Sequence, residues 1–177
     1  MADEEVNSEA SPGLEPRVLH VPAGEGPKVW MSGDTYTLKA TSENTGGRLS
    51  FSEASVPPGA GPVPHVHLDA DEAYYILNGE LEVLDGERLI TAKAGDFVFI
   101  PRGTLHRFKN TGVDAARMVF FFTPAGFDKF FLEAGKPAVA GVPPQWGEED
   151  DLRVLEIAPR YSWTPAADTP AAEEAHR

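Results

Sequence analysis

Short stretches in which apolar and polar residues alternate fill the middle of the chain. Leu49 and Phe51, for example, alternate with serines, and a period of two is typical of a strand with one buried face. The Asn78-Gly79 pair is the clearest of the turn signals between these stretches, because both residues tolerate positive φ. The predicted strands cover residues 35–39, 48–55, 72–77, 80–84, 87–92, 97–100, 106–110 and 117–123. Eight or nine strands at this spacing predict an all-β fold, an antiparallel sandwich or barrel.

Helical spacing replaces the alternation towards the end of the chain. Three phenylalanines between positions 127 and 131 recur at the spacing of a helix face, and a glycine follows, which predicts a helix over residues 127–135. A looser apolar stripe behind an acidic first turn predicts a second helix over residues 149–157. We expect both helices to pack across the outside of the barrel.

The two ends of the chain differ from the middle in composition. Residues 1–16 and residues 164–177 are rich in Ala, Pro, Glu and Asp and have no periodic apolar positions. Segments of this kind cannot bury enough apolar surface to fold, so we predict a disordered arm and a disordered tail. Residues 17–163 form a single predicted domain, since 177 residues suit one core and no internal repeat is present.

The charge and the amino-acid composition limit the partners and metal ligands that we expect for this chain. The net charge is −13, so we expect neither nucleic acid nor an anionic membrane as a partner, because both attract basic surfaces. The first residues lack the apolar core of a signal peptide and no segment has the apolar length of a membrane span, so the cytoplasm is the expected location. The chain has no cysteine, and nitrogen and oxygen atoms must therefore supply every ligand of a bound metal.

Three histidines and one glutamate have the spacing of a metal site. His65 and His67 lie at positions i and i+2, and in an extended segment such residues point to the same face. Glu72 follows a short turn, and His106 begins a later predicted strand. Imidazole and carboxylate groups bind zinc, iron, copper, nickel and manganese. We therefore predict that His65, His67, Glu72 and His106 bind one metal ion.

Simpler interpretations of these residues stay open at this point. The histidines could lie in surface turns beside a solvated glutamate, or the metal could be bound without catalysis. Asp69 and Asp71 flank Glu72 and could replace it as ligands, although a solvated acidic turn is the simpler interpretation of both.

Two longer motifs contain the four ligand candidates. Residues Gly59 to Gly79 follow the pattern G-x5-H-x-H-x4-E-x6-G, and residues Gly95 to Asn110 follow G-x5-P-x-G-x2-H-x3-N. These patterns resemble the two sequence motifs of the cupin superfamily. The stretch from about residue 24 to residue 135 is similar to the single-domain cupins related to quercetin 2,3-dioxygenase. The resemblance implies a small cupin β-barrel, or jelly roll, that holds the metal inside and is open at one end.

The resemblance also implies a function. It points to a metal-dependent dioxygenase that acts on an enolisable, aromatic or polyketide-like small molecule, with Glu72 as the catalytic base. The implied cofactor is one divalent transition metal ion, which could be Fe, Ni, Mn, Co, Cu or Zn, and the implied assembly is a homodimer. Two alternatives stay open: a non-oxidative isomerase, cyclase or decarboxylase, and a small-molecule-binding cupin without turnover.

Strand alternation extends the prediction to a substrate pocket. If Glu72 faces the inside of the barrel, Tyr74 does so too, since both lie on one face of the predicted strand. The last predicted strand is apolar on both faces, so one face can line a cavity while the aromatic helix or a second subunit covers the other. Ordinary core packing explains these residues nearly as well. The pocket candidates are Tyr74, Phe108, Phe120 and Phe122.

Overall fold

Twelve strands, two α-helices and one 3₁₀-helix follow one another in the computed structural model, which describes residues 18–166. The strands are β1 (Lys28–Met31), β2 (Asp34–Ala40), β3 (Ser50–Val56), β4 (His65–His67), β5 (Asp71–Asn78), β6 (Glu80–Asp85), β7 (Arg88–Lys93), β8 (Phe97–Ile100), β9 (His106–Lys109), β10 (Ala116–Thr123), β11 (Lys136–Pro137) and β12 (Trp163–Pro165). The helices are α1 (Phe127–Ala134) and α2 (Glu148–Ile157), and the 3₁₀-helix spans Ala158–Tyr161.

The strands form two antiparallel sheets that enclose one core. The larger sheet has the order β11-β1-β2-β3-β10-β5-β8, and the smaller sheet has the order β12-β4-β9-β6-β7. Ile76 and Met118 of the larger sheet and Leu81 and Val83 of the smaller sheet are buried in the same apolar cluster. Alternating residues of each strand therefore face inwards. This architecture confirms the all-β prediction.

Each of the eight predicted strands has a counterpart, and the strands that the sequence pattern did not reveal are short. β11 has two residues, β4 and β12 have three residues each, and β1 has four. A period of two cannot be recognised over so few positions. Pairing with neighbouring strands, rather than local pattern, defines these elements.

The helices lie at the predicted positions, but they do not pack across the outside of the barrel as we expected. The ring of Phe127 on α1 lies 4.7 Å from Phe122, and Phe131 lies 5.7 Å from Phe120, measured between ring centroids. Both β10 residues belong to the inward face, and α2 packs against α1 in turn. The aromatic face of α1 is buried against other aromatic rings at the inner face of the larger sheet.

Within residues 18–166 no helix combines the length and the apolar character that crossing a membrane requires.

The predicted start of the tail falls inside an ordered strand. Trp163 and Thr164 of β12 pair with His67 and Val66 of β4, and the amide of Ala166 donates a hydrogen bond to the carbonyl of Pro64 at 2.9 Å. Burial of the Trp163 side chain anchors this segment. The predicted arm over residues 1–16 lies outside the described residues, and so do residues 167–177 of the predicted tail.

The loop before β4 is held tightly against β9. Asn110 directly follows β9, and its backbone carbonyl accepts a hydrogen bond from the Gly59 amide at 2.7 Å while its backbone amide donates one to the carbonyl of Ala60 at 3.0 Å. Directly after these contacts, Gly61 has a φ of +134°, and a Cβ atom at this position would lie 2.3 Å from the carbonyl oxygen of Phe108. The loop therefore needs glycine at position 61 to bring β4 next to β9.

We expect Gly61→Ala to lower the free energy of unfolding by at least about 1–3 kcal/mol, because the side chain meets both an unfavourable φ and a backbone atom. Urea denaturation measures this change. Gly86→Ala is the matched control, since Gly86 also has a positive φ but a Cβ atom there meets nothing within 4 Å. Equal losses in the two variants would contradict the role of the close contact.

Candidate metal centre

Four buried side chains meet between the two sheets. His65 and His67 lie on β4, Glu72 lies on β5, and His106 begins β9 directly opposite His65. One possible ligand atom from each of the four lies within 4.8 Å of the others. The structure thus brings together the four residues that the sequence spacing singled out, and they form a site that can hold a metal ion.

Backbone carbonyl groups set the orientation of two histidine rings. Nδ1 of His65 lies 2.8 Å from the carbonyl oxygen of Val63, and Nδ1 of His106 lies 2.9 Å from that of Thr104. An Nδ1–H group that donates to a carbonyl leaves Nε2 as the free nitrogen. Metal-binding histidines are commonly held in this way by an outer hydrogen bond.

The distances between Glu72 and two of the histidines indicate that the site suits a cation. Nε2 of His106 lies 2.9 Å from Oε2 of Glu72, and Nε2 of His67 lies 3.5 Å from the same oxygen. Both ring nitrogens of His106 therefore face acceptor oxygens, although a neutral imidazole carries only one N–H group. A proton or a metal cation beside Nε2 resolves this conflict. Three imidazoles and one carboxylate are a ligand set that divalent transition metals accept, so the residues fit such an ion.

The buried surroundings shift the pKa values of three members of the cluster in different directions. Burial, with help from the neighbouring histidines, lowers the pKa of His65 and favours its neutral form. Burial acts to raise the pKa of Glu72, but hydrogen bonds and charge interactions with His106 and His67 lower it below the usual range. Burial acts to lower the pKa of His106, while the contact with Glu72 raises it overall. His65 can therefore supply a lone pair to a metal ion, whereas His106 must release the proton that its contact with Glu72 favours before it can bind one.

Asp69 and Asp71, which flank Glu72 in the sequence, do not belong to the metal-binding cluster. Asp71 forms a two-point ion pair with Arg102, in which Nε and Nη2 of Arg102 lie 3.1 and 3.0 Å from the carboxylate oxygens. These hydrogen bonds lower the pKa of Asp71 to about 2. Asp69 is exposed, and neither residue belongs to the cluster of four. Glu72 is the carboxylate that the fold places beside the histidines.

A cavity of about 320 Å³ adjoins the cluster, which is within the size range of small-molecule sites. Its lining includes His65, His67 and Glu72. The lining also includes the four pocket candidates, Tyr74, Phe108, Phe120 and Phe122. Aromatic rings therefore form much of the wall, and the polar groups are concentrated at the metal centre.

Tyr74 differs from the other pocket candidates because it carries a hydroxyl group. The residue is fully buried, and its hydroxyl lies near the Glu72 carboxylate without forming a hydrogen bond of ordinary geometry to any group in residues 18–166. Burial and the nearby charge of Glu72 raise its pKa. Tyr74 therefore remains a neutral phenol in the cavity wall.

Several residues of the cavity wall could not be recognised from the sequence pattern. Trp163 stacks on His65 with a centroid distance of 5.0 Å and on Phe130 with a distance of 5.9 Å. Phe127 meets His67 edge to face at 4.4 Å. An isolated tryptophan at the start of an Ala- and Pro-rich segment was the one available signal for the Trp163 contact. The helix stripe indicated burial of the phenylalanines but not their contact with a ligand candidate.

The chain is similar in sequence to a known protein family and to two named relatives. A model of the cupin domain matches residues 52–122. The chain is 36% identical over 155 residues to polyketide synthase CurC from Streptomyces cyaneus, and the match covers 86% of this chain and 94% of that protein. It is 28% identical over 132 residues to quercetin 2,3-dioxygenase from Bacillus subtilis strain 168, covering 73% of this chain and 38% of the dioxygenase. The chain thus spans less than half the length of that enzyme.

A solved structure has the same fold. The crystal structure of a predicted oxalate decarboxylase from Thermotoga maritima superposes with a TM-score of 0.56 at 25% identity, and the match covers 59% of this chain and 98% of that one. The cupin domain match includes the strands of all four ligand candidates, and the relative from Streptomyces cyaneus is matched over almost its whole length. This chain therefore belongs to the cupin superfamily.

Proposed function

We propose that this protein is a metal-dependent dioxygenase that acts on an enolisable, aromatic or polyketide-like small molecule. The observation that carries this proposal is the position of the buried cluster of three histidines and Glu72 at the wall of an aromatic cavity. A site of this kind gives a substrate one polar, charged anchor and apolar walls on its other sides.

Two relatives support the substrate class. One is a quercetin 2,3-dioxygenase, whose named substrate is a flavonol with an enolic hydroxyl group beside a carbonyl group. The other, matched over most of both chains, is a polyketide synthase protein. Quercetin is a planar, oxygen-rich ring system, and such a molecule suits a cavity walled by phenylalanine and tryptophan rings.

The residues of the site suggest how the reaction is arranged. When bound by His65, His67, Glu72 and His106, a divalent metal ion supplies Lewis-acid stabilisation of an enolate oxygen. We infer that Glu72 accepts the proton of the enolic hydroxyl group, and the position of its carboxylate at the cavity wall supports this role. Both atoms of dioxygen enter the product, and the substrate gives up the four electrons that reduce them. No external reductant is needed.

The cavity walls bind the substrate and exclude water. The rings of Phe127, Phe130 and Trp163 can pack against a planar substrate ring through offset or edge contacts. Exclusion of water strengthens the electrostatic interactions near the ligand residues. Tyr74 is the one predicted pocket residue with a hydroxyl group, and we infer that it hydrogen-bonds a second oxygen atom of the substrate.

An oxygen-uptake experiment tests the proposal. The purified chain is first analysed for metal content, then depleted with a chelator and reloaded separately with Fe, Ni, Mn, Co, Cu or Zn. With quercetin and related enols as probes, we expect at least one form to consume one dioxygen per substrate molecule, with label from ¹⁸O₂ entering the product twice. The chelated protein is the control and is expected to consume none.

Other outcomes would favour the alternatives. Conversion of a substrate without oxygen uptake would support a non-oxidative cyclase, isomerase or decarboxylase. The specific observation in favour of that alternative is the long match to a polyketide synthase protein rather than to an oxygenase. Saturable binding without conversion would support a binding protein. The homodimer and the cytoplasmic location stay predictions.

A further inference from the structure

A carboxyl group and a phenol group form a buried pair on β2, outside the metal centre. Asp34 and Tyr36 are both buried, and they lie two residues apart on the inward face of the strand. The hydroxyl group of Tyr36 lies 2.8 Å from Oδ2 of Asp34. Tyr36 is also part of the cavity wall. The cavity therefore has a second polar position, which the proposed reaction does not use.

The fold does not satisfy the hydrogen-bonding capacity of Asp34. Its Oδ1 atom is buried and has no hydrogen-bond partner among residues 18–166. A buried polar group without a partner costs about 1–3 kcal/mol of stability, and most buried polar groups in folded proteins are hydrogen-bonded. An apolar side chain at position 34 would avoid this cost. The carboxyl group therefore calls for a role other than stabilisation of the fold.

The surroundings favour the neutral forms of both groups. Burial raises the pKa of Asp34 well above its usual value, and the hydrogen bond with Tyr36 offsets only part of this effect. Burial is also the main cause that raises the pKa of Tyr36. A neutral carboxyl group and a neutral hydroxyl group carry two O–H bonds, but the contact between them uses only one. The other O–H bond remains for a ligand.

Tyr36 is the member of the pair that can offer this O–H bond to the cavity. Tyr36 belongs to the cavity wall, whereas Asp34 does not. A proton on Oδ2 of Asp34 can be donated to the Tyr36 oxygen, which leaves the Tyr36 hydrogen free. Phe120 and Phe131 pack against the ring of Tyr36 at centroid distances of 5.4 and 4.7 Å. A donor that is held in place before binding loses little conformational entropy when a ligand arrives.

The pair lies away from the metal centre, in a cavity without basic side chains. β2 carries Tyr36 and β5 carries Glu72, and β3 and β10 lie between these strands in the larger sheet. Three strand spacings of about 4.8 Å place the two backbones roughly 14 Å apart along the sheet. Among the residues of 18–166 that line the cavity, none is a lysine or an arginine. The cavity therefore favours an elongated molecule without carboxylate or phosphate groups.

We propose that Tyr36 is a second ligand-binding residue of the cavity, whose hydroxyl group donates a hydrogen bond to a ligand oxygen far from the metal centre. Asp34 is a positioning residue, because its carboxyl group holds the Tyr36 oxygen and directs the Tyr36 hydrogen to the ligand. The ligand is a planar ring molecule with oxygen atoms at both ends. The substrate class rests on the proposed function, but the contact itself does not depend on which reaction follows.

Equilibrium binding to the zinc-loaded chain in the absence of oxygen tests this proposal. The probes are quercetin and 3-hydroxyflavone, which share the enolic hydroxyl group and the carbonyl group, whereas only quercetin carries hydroxyl groups on its outer rings. Fluorescence of Trp163, which lines the cavity, reports binding. Tyr36→Phe should weaken quercetin binding by at least about 5-fold. It should leave 3-hydroxyflavone binding unchanged, because phenylalanine keeps the ring and removes only the hydroxyl group.

Matched variants separate binding from folding. Tyr75→Phe also removes one tyrosine hydroxyl group, but Tyr75 is 44% exposed and does not line the cavity, so neither probe should respond. Asp34→Leu should weaken quercetin binding selectively, as Tyr36→Phe does. Asp34→Asn should restore it, because an amide group can still donate to the Tyr36 oxygen. If Tyr36→Phe does not fold, the comparison of the leucine and asparagine variants carries the same test.

Three results would overturn the proposal. They are unchanged quercetin binding in the Tyr36→Phe variant, an equal loss for both probes, and a wild-type chain that does not bind quercetin. Circular dichroism and metal content are measured on every variant to confirm folding. Because binding is measured without turnover, a lack of oxygen uptake would contradict the proposed dioxygenase activity and leave the role of Tyr36 intact.

Discussion

Replacing Glu72 with glutamine is expected to reduce turnover by roughly 10²–10⁴-fold while most of the bound metal remains. Glutamine keeps a carbonyl oxygen at the position of the metal ligand, but it cannot accept the proton of an enolic substrate. Three histidines remain to hold the ion. The loss should appear in kcat rather than in the dissociation constant of the metal, which chelator competition measures separately.

The matched control for this substitution is Asp69→Asn. Asp69 is an exposed carboxylate in the turn before Glu72 and lies outside the ligand cluster, so its replacement should leave turnover at the wild-type value. Full turnover in the Glu72→Gln variant would exclude the base role of Glu72. A loss of metal equal to the loss of turnover would assign Glu72 to metal binding alone.

The second large effect is expected from His106→Ala, which should weaken metal binding by at least about 100-fold. Even residues that only support a ligand contribute 10–100-fold to metal affinity, and His106 is itself a ligand candidate. The substitution also removes the closest partner of the buried Glu72 carboxylate, at 2.9 Å. Breaking a buried charged pair typically destabilises a protein by about 3–5 kcal/mol, so the variant should unfold at lower urea concentration.

Metal titration followed by elemental analysis measures this effect without any substrate. His20→Ala is the control, since His20 is exposed near the start of the described residues and lies outside the cluster. Near-stoichiometric metal in the folded His106→Ala variant would remove His106 from the ligand set. Circular dichroism separates that outcome from simple unfolding.

The ligand candidates could be predicted because their geometry is local. His65 and His67 are two residues apart in an extended segment, and a strand of any fold then turns both rings to one side. Glu72 follows after one turn, and β5 runs in the opposite sheet, so that its carboxylate faces His67 of β4 across the core. His106 lies far from the other three residues in the sequence, so strand alternation could not connect it with them. The second motif, which contains His106, predicted its place in the ligand set. Periodicity likewise identified the longer strands, since each contains enough positions for a period of two.

Features that depend on distant contacts could not be predicted. β12 has three residues, and its strand conformation comes from pairing with β4, far earlier in the chain. The stacking of Trp163 on His65 depends on that pairing. Similarly, the phenylalanines of α1 predicted an apolar helix face, but periodicity gives no information about which surface that face covers. The inner and outer surfaces of β10 are both apolar, and only the assembled sheet shows which of them the helix meets.

The position of the cavity-wall residues in the sequence has a consequence for how such proteins can diversify. Phe127, Phe130 and Trp163 lie after the region that matches the cupin domain, whereas the four ligand candidates lie inside it. Changes in the C-terminal part of the chain can thus reshape the space offered to a substrate while the ligand set stays the same. One barrel can acquire new substrate preferences in this way without rebuilding its chemistry. Substitution of these three rings is therefore the most direct way to change which molecules the cavity accepts.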